Sequence, residues 1–302
     1  MRSGIYTHVL SDDPVDLTNA VRFHSADEIV PYKEVNGQRL LLGFYWPKYK
    51  TADLSPAVLL IHGGGWQSKK VFDDQPAWAG DYLGFLARHL ANLGYVCVSV
   101  DYRLAKDHAQ PDGFQLIDLF DDCLDAADYI ISNSQRYGID RNRVIVLGES
   151  AGGQLAGALA TFPSAQHLSL RGAILVNPIM DFVNDSFWQA YVPKKSVHPV
   201  LKDLSFPQRC VYLSPLWKIC SRTCPIVLLH GMDDSVVSPE HSIRTYESMK
   251  DAGRPCQLHL FEKTNHAFLL TEFTDNQRAC RLGVKVITEA LYSMLDDQAQ
   301  TM

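Results

Sequence analysis

The apolar positions of this chain fall into two rhythms. Short, mostly apolar runs at 57–61, 95–100, 144–147, 173–176, 225–229 and 257–261 have the length and β-branched content of strands covered on both faces. Between and after them, apolar residues recur at helical spacing over 78–93, 115–134, 239–252 and 275–295, and Gly94 marks the end of the first of these helices. In 115–134, Leu116, Leu119, Phe120, Leu124, Ala127 and Ile131 share one side while acids occupy the other. Upstream, two strand-like runs within 29–46 flank Asn36-Gly37, a pair that tolerates the positive φ of a tight hairpin. The alternation predicts an α/β fold: a mainly parallel central sheet, helices on both faces and an antiparallel hairpin at its start. Residues 1–26 show no sustained period and are expected to wrap the domain or lie near the site opening. The rhythm also breaks over 181–223, which carries Trp188, Tyr191 and Trp217. An aperiodic segment of that length inside a compact fold is expected to be functional, so 182–223 reads as a small lid-like insertion in a single domain spanning 1–302.

Composition narrows this picture. With 302 residues and 46% hydrophobic content the chain can bury one large core. A formal net charge of −6 argues against nucleic acid and anionic membrane surfaces as partners. No apolar run approaches the ~20 residues of a membrane span, and Met1 is not followed by a hydrophobic signal core, so the expected location is cytoplasmic. The seven cysteines are scattered, without a disulfide framework or zinc spacing, and are expected to be buried thiols. No metal or cofactor is expected, and oligomeric state is not legible.

Chemistry concentrates where 144–147 runs into Gly148-Glu149-Ser150-Ala151-Gly152. A buried strand turning into a helix, with glycines two residues either side of a serine, pushes that hydroxyl outward at a helix N-terminus. The bland alternative is a Gly/Ser-rich turn, so the decision rests on partners. A serine hydroxyl needs a histidine base oriented by a carboxylate, and in this class of sheet both belong on loops after later strands. The strand ending at Leu229 is followed by His230-Gly231-Met232-Asp233-Asp234, and the strand ending at Phe261 by a polar loop reaching His266. Spacing to Val237 favours Asp234 over Asp233 as the acid, and His266 is the candidate base; His259 reads as a packed or surface ring. After Ile61, His62-Gly63-Gly64-Gly65 offers bare N–H groups, and Gly64, Gly65 and Ala151 are the candidate oxyanion donors. No Walker or dinucleotide pattern accompanies these glycines. His62, directly at a strand end, reads as a loop brace.

Taken in order, His62-Gly63-Gly64-Gly65-Trp66, Val100-Asp101-Tyr102-Arg103-Leu104, Gly148-Glu149-Ser150-Ala151-Gly152-Gly153, Leu213-Ser214-Pro215-Leu216 and His230-Gly231-Met232-Asp233-Asp234 resemble signatures of the α/β-hydrolase superfamily. Within it, the chain resembles the hormone-sensitive-lipase-like esterases and the related bacterial acetyl-esterase and feruloyl-esterase enzymes, over about residues 57–270. The resemblance implies that Ser150 is acylated, His266 shuttles the proton and Asp234 holds the imidazole. It also implies that Asp101 and Arg103 tie loops near the serine and that Glu149 braces a neighbouring loop. Two departures stand out: the stretch before the hairpin is short for the helical cap of lipase-like members, and Trp66 is similar to the loops of carbohydrate-esterase relatives and arylformamidases. The expected function is a serine carboxylesterase acting on short acyl groups, acetyl or aromatic, on carbohydrates or other small-molecule esters. Trp66, Trp188 and Trp217 are the candidate substrate-stacking residues. An arylformamidase-like or other small amidase is the alternative, and a catalytically inactive hydrolase-fold binding protein is a third reading.

Overall fold

Asn36 and Gly37 adopt φ of +50° and +77°, and the chain reverses there between β2 (Glu28–Val35) and β3 (Gln38–Tyr45), as the dipeptide predicts. A computed structural model describes residues 1–10, 25–48, 53–68, 82–105, 115–266, 268–269 and 277–295. Among them, nine strands form one sheet in the order β1-β9-β8-β7-β6-β4-β5-β3-β2. The remaining strands are β1 (Gly4–His8), β4 (Ser55–Ile61), β5 (Val96–Val100), β6 (Ile139–Glu149), β7 (Gly172–Val176), β8 (Ile226–Gly231) and β9 (Cys256–Phe261). Pairing is parallel from β1 to β5 along that order, and antiparallel only where β3 joins β5 and β2.

Alternation along the central strands builds two cores. In β4, Ala57, Leu59 and Ile61 face one core and Val58 and Leu60 the other. The first core is covered by α2 (Leu116–Ser132), α3 (Ala151–Thr161) and α6 (Glu240–Asp251), the second by α1 (Tyr82–Asn92) and α7 (Gln277–Leu295). The expected starts of α1 at 78 and of α7 at 275 lie outside the described residues. Because the parallel strands run in one direction, His62, Asp101, Ser150, Asn177, Asp234 and His266 all follow strand ends at one edge.

One expectation needs correction. Residues 4–8 do not wrap the domain: they add β1 to the sheet edge, in register from Gly4↔Gln257 to His8↔Phe261. Arg103 is structural: its guanidinium makes a bidentate pair with buried Asp122 of α2, at 2.7 and 2.9 Å, with Lys33 at 2.7 Å on the same carboxylate. Five cysteines are buried, while Cys220 and Cys224 are half-buried. His259 packs in a stack with Tyr6 and His8, and burial there lowers its pKa to about 4.

The segment 182–223 is aperiodic but ordered. It contains α4 (Ser186–Gln189), α5 (Phe206–Leu213) and a 3-10 turn at Pro215–Lys218. Arg209, buried on α5, donates to the carbonyls of Pro193, Lys194, Leu201 and Lys202 and so closes the loop 193–202 at both ends. Ser196 donates to Gln115 and His198 meets Asp121, which pins the loop to the start of α2. Buried His241 of α6 accepts at Nδ1 from the N–H groups of Met180 and Asp181 and lies 3.2 Å from Asp185 at Nε2. No helix among the described residues is long and apolar enough to cross a membrane.

Candidate active site

The turn between β6 and α3 places Ser150 at φ +55° and ψ −120°, outside both helix and strand regions. Two glycines permit it. A Cβ on Gly148 would run into the carbonyl of Gly152, and one on Gly152 into the carbonyls of Ile61 and His62. Ser150 N–H is held by Val176 O at 2.9 Å, which ties the turn to β7. The strained backbone is therefore fixed from the two neighbouring strands, β4 and β7.

Ser150 Oγ lies 2.9 Å from Nε2 of His266, and Nδ1 of His266 lies 2.6 Å from Oδ2 of Asp234. The network sets the tautomer: Nδ1–H donates to the carboxylate, and Nε2 accepts from the serine hydroxyl. Oδ1 of Asp234 accepts from the N–H groups of Val236 and Val237 at 2.9 and 2.8 Å. Adjacent Asp233 is exposed and makes none of these contacts through its side chain. Sequence reading gave His230 no role, yet its Nε2 donates to Val237 O at 2.9 Å and lies 3.4 Å from Asp234 Oδ2. The signal was its position four residues before the acid. Burial alone would raise the Asp234 pKa; the bonds from His230 and His266 outweigh it and hold the carboxyl well below the ordinary carboxylate range. His266 is raised above the usual imidazole value, because its bond to Asp234 and the charges of Glu149 and Asp234 outweigh burial.

The glycine loop passes against this group. Gly63 lies over Glu149 and Ser150, leaving no room for a Cβ, and Gly64 and Gly65 take φ of +107° and +61°. The turn folds around the Gly64 carbonyl, which accepts from Gln67 N–H and from Ser68 N–H and Oγ–H. No described residue accepts from the N–H of Gly64 or Gly65. Ala151 opens α3, where the first N–H groups have no intrahelical acceptor. His62 braces the loop, its ring stacked on Tyr102 at 4.3 Å and its carbonyl accepting from the Tyr102 hydroxyl.

Two of the three candidate tryptophans are buried and not open to a substrate. Trp66 is 0% exposed, wedged among Phe182, Trp188 and Tyr191, with its indole N–H donating to Gln154. Trp188 is 4% exposed in the same cluster. These two rings pack the inserted segment onto the glycine loop instead of offering a face for stacking. Gln154, which sequence reading passed over, also donates to Leu213 O and so joins loop and insertion. Trp217 is half exposed, its N–H held by Asp181 at 3.1 Å. Among the described residues no group of three or more His, Cys, Asp or Glu is placed to hold a metal ion.

A family model described as alpha/beta hydrolase fold matches residues 58–270. Arylacetamide deacetylase of Oryctolagus cuniculus is 35% identical over 139 residues, 45% of this chain and 32% of that protein. Carboxylesterase NlhH of Mycobacterium tuberculosis is 34% identical over 116 residues, 38% of this chain and 32% of that protein. The matched stretch thus spans 32% of the length of each of these relatives. Esterase 2 of Thermogutta terrifontis, solved with propionate bound, aligns with a TM-score of 0.68 at 26% identity, over 88% of this chain and 94% of that one. The same esterase has been solved phosphoramylated by tabun. Sheet order, the serine turn and a family match covering most of the sequence agree, and the chain belongs to the alpha/beta hydrolase fold family.

Proposed function

We propose that this chain is a serine carboxylesterase that hydrolyses short-chain acyl esters through Ser150, His266 and Asp234. The observation that carries this reading is the unbroken path of contacts, 2.9 Å from Ser150 Oγ to His266 and 2.6 Å from His266 to Asp234, at the edge where the parallel strands end. His266 takes the Ser150 proton as Oγ attacks the ester carbonyl, and Asp234 stabilises the imidazolium that forms. The oxyanion is met by the N–H groups of Gly64, Gly65 and Ala151; one such donor is typically worth ~2.7–4 kcal/mol of barrier. The alcohol leaves with the proton from His266, and water then repeats the sequence on the acyl-enzyme. The similarity to an esterase solved with propionate supports a short acyl group. The inserted segment 182–223 is the cover of this site, attached through Trp66 and Gln154.

Ser150→Ala should abolish both the burst and the steady-state release of p-nitrophenol from p-nitrophenyl acetate while leaving the circular dichroism spectrum unchanged. Turnover by the folded variant would refute the nucleophile. A small-amidase reading is favoured by the similarity to a protein named arylacetamide deacetylase. Comparing a p-nitrophenyl ester, an acetylated oligosaccharide, an acetanilide and N-formylkynurenine separates these activities. A panel without turnover of any of them would leave a binding protein on a hydrolase fold. Burial of Trp66 and Trp188 withdraws two of the three rings that would have favoured a sugar.

A further inference from the structure

Glu149 takes no part in the steps above, yet its position is as firmly set as that of Ser150. It is the last residue of β6, in register with Val176 of β7, and is 4% exposed. Its carboxylate fills the space that a side chain at Gly63 would occupy. From there Oε1 lies 3.9 Å from Nε2 of His266, the nitrogen that faces Ser150 Oγ. The other ring nitrogen meets Asp234 at 2.6 Å. Among the described residues, the charged groups facing this imidazole are Glu149 at the end of β6, against Nε2, and Asp234 after β8, against Nδ1, with His230 3.4 Å from the same Asp234 oxygen.

We propose that Glu149 is a positioning residue for the reaction, its fixed negative charge stabilising the imidazolium that His266 becomes whenever it holds the serine or water proton. The inference rests on the triad reading. A separation of 3.9 Å is too long for a hydrogen bond, so Glu149 acts on His266 through its field. In a site screened from water that field is felt strongly. Bracing a neighbouring loop, the role implied by the family resemblance and met here at Gly63, needs only the shape of the side chain; the field needs its charge.

Glu149→Gln keeps the shape and removes the charge. The neutral imidazole is the active base, so a lowered His266 pKa moves the acid limb of kcat/KM towards lower pH. We expect a displacement of about one pH unit, with kcat on the plateau reduced about tenfold, since one unit corresponds to a factor of ten in either equilibrium. KM should be unchanged. Glu149→Asp, which retains the charge but withdraws it, should move the limb in the same direction by less. Histidine 13C NMR titration in the S150A background reads His266 without turnover and should show the same displacement. An E149Q limb or titration coinciding with the parent's would overturn the proposal, even if activity fell. Should E149Q not fold, an unmoved titration in E149D would do the same. Activity surviving in S150A would instead refute the triad reading.

Discussion

Asp233 and Asp234 are the same residue type, one peptide apart, with opposite physical situations. Asp234 receives His266, Val236 and Val237, whereas the side chain of Asp233 is exposed. Asp234→Asn should lower kcat/KM by ~10³–10⁴, by the precedent of triad acids whose amide selects the wrong imidazole tautomer, while Asp233→Asn should stay within about twofold. Equal losses in parallel kinetic assays would move the acid. Because His266 is raised above the ordinary 6.5, activity in the parent should fall as pH drops through a value above 6.5, and a limb below 6.5 would contradict the pairing. At this scale the sequence was informative about polar residues and misleading about aromatic ones. Spacing to Val237 singles out Asp234 because the acid's Oδ1 needs the N–H groups two and three residues on. Nothing in the letters tells a stacking Trp66 from one buried by a segment more than 100 residues away in sequence, as the ring contacts with Trp188 and Tyr191 show.

Among the elements, the serine turn was legible because glycine spacing records steric exclusion. Gly152→Ala should destabilise the protein by about 3 kcal/mol or more in urea denaturation, since the new methyl meets backbone carbonyls that cannot move aside. A loss under ~1 kcal/mol would mean that the β4–α3 approach is looser than described. The segment 182–223 was illegible for a different reason. Its order comes from side chains bonding backbone, above all Arg209 on four carbonyls, and such bonds leave no hydrophobic period. Arg209→Met should preserve the central sheet but expose 193–202 to rapid amide exchange and proteolysis; unchanged protection there would show that Ser196 and His198 hold the loop unaided.

Over the whole molecule, strand alternation announced the mixed architecture because the central strands are buried on both faces and so read as apolar runs. Edge strand β1 escaped notice because most of it is exposed, Ile5 at 55% and Tyr6 at 39%, so no buried face imposes a period. Removing residues 1–9 strips β9 of one of its two partners, leaving β8, and should lower the apparent Tm by about 2–3 °C, roughly 1–2 kcal/mol for a chain of this size. The pairing also carries a temporal consequence. Gly4 is matched with Gln257, so a ribosome making about 5–20 residues per second presents the first strand some 10–50 s before its neighbour exists. For that interval Ile5 and Tyr6 sit on an unclaimed edge, and the nascent chain must be kept from borrowing another polypeptide's strand until its own last one emerges.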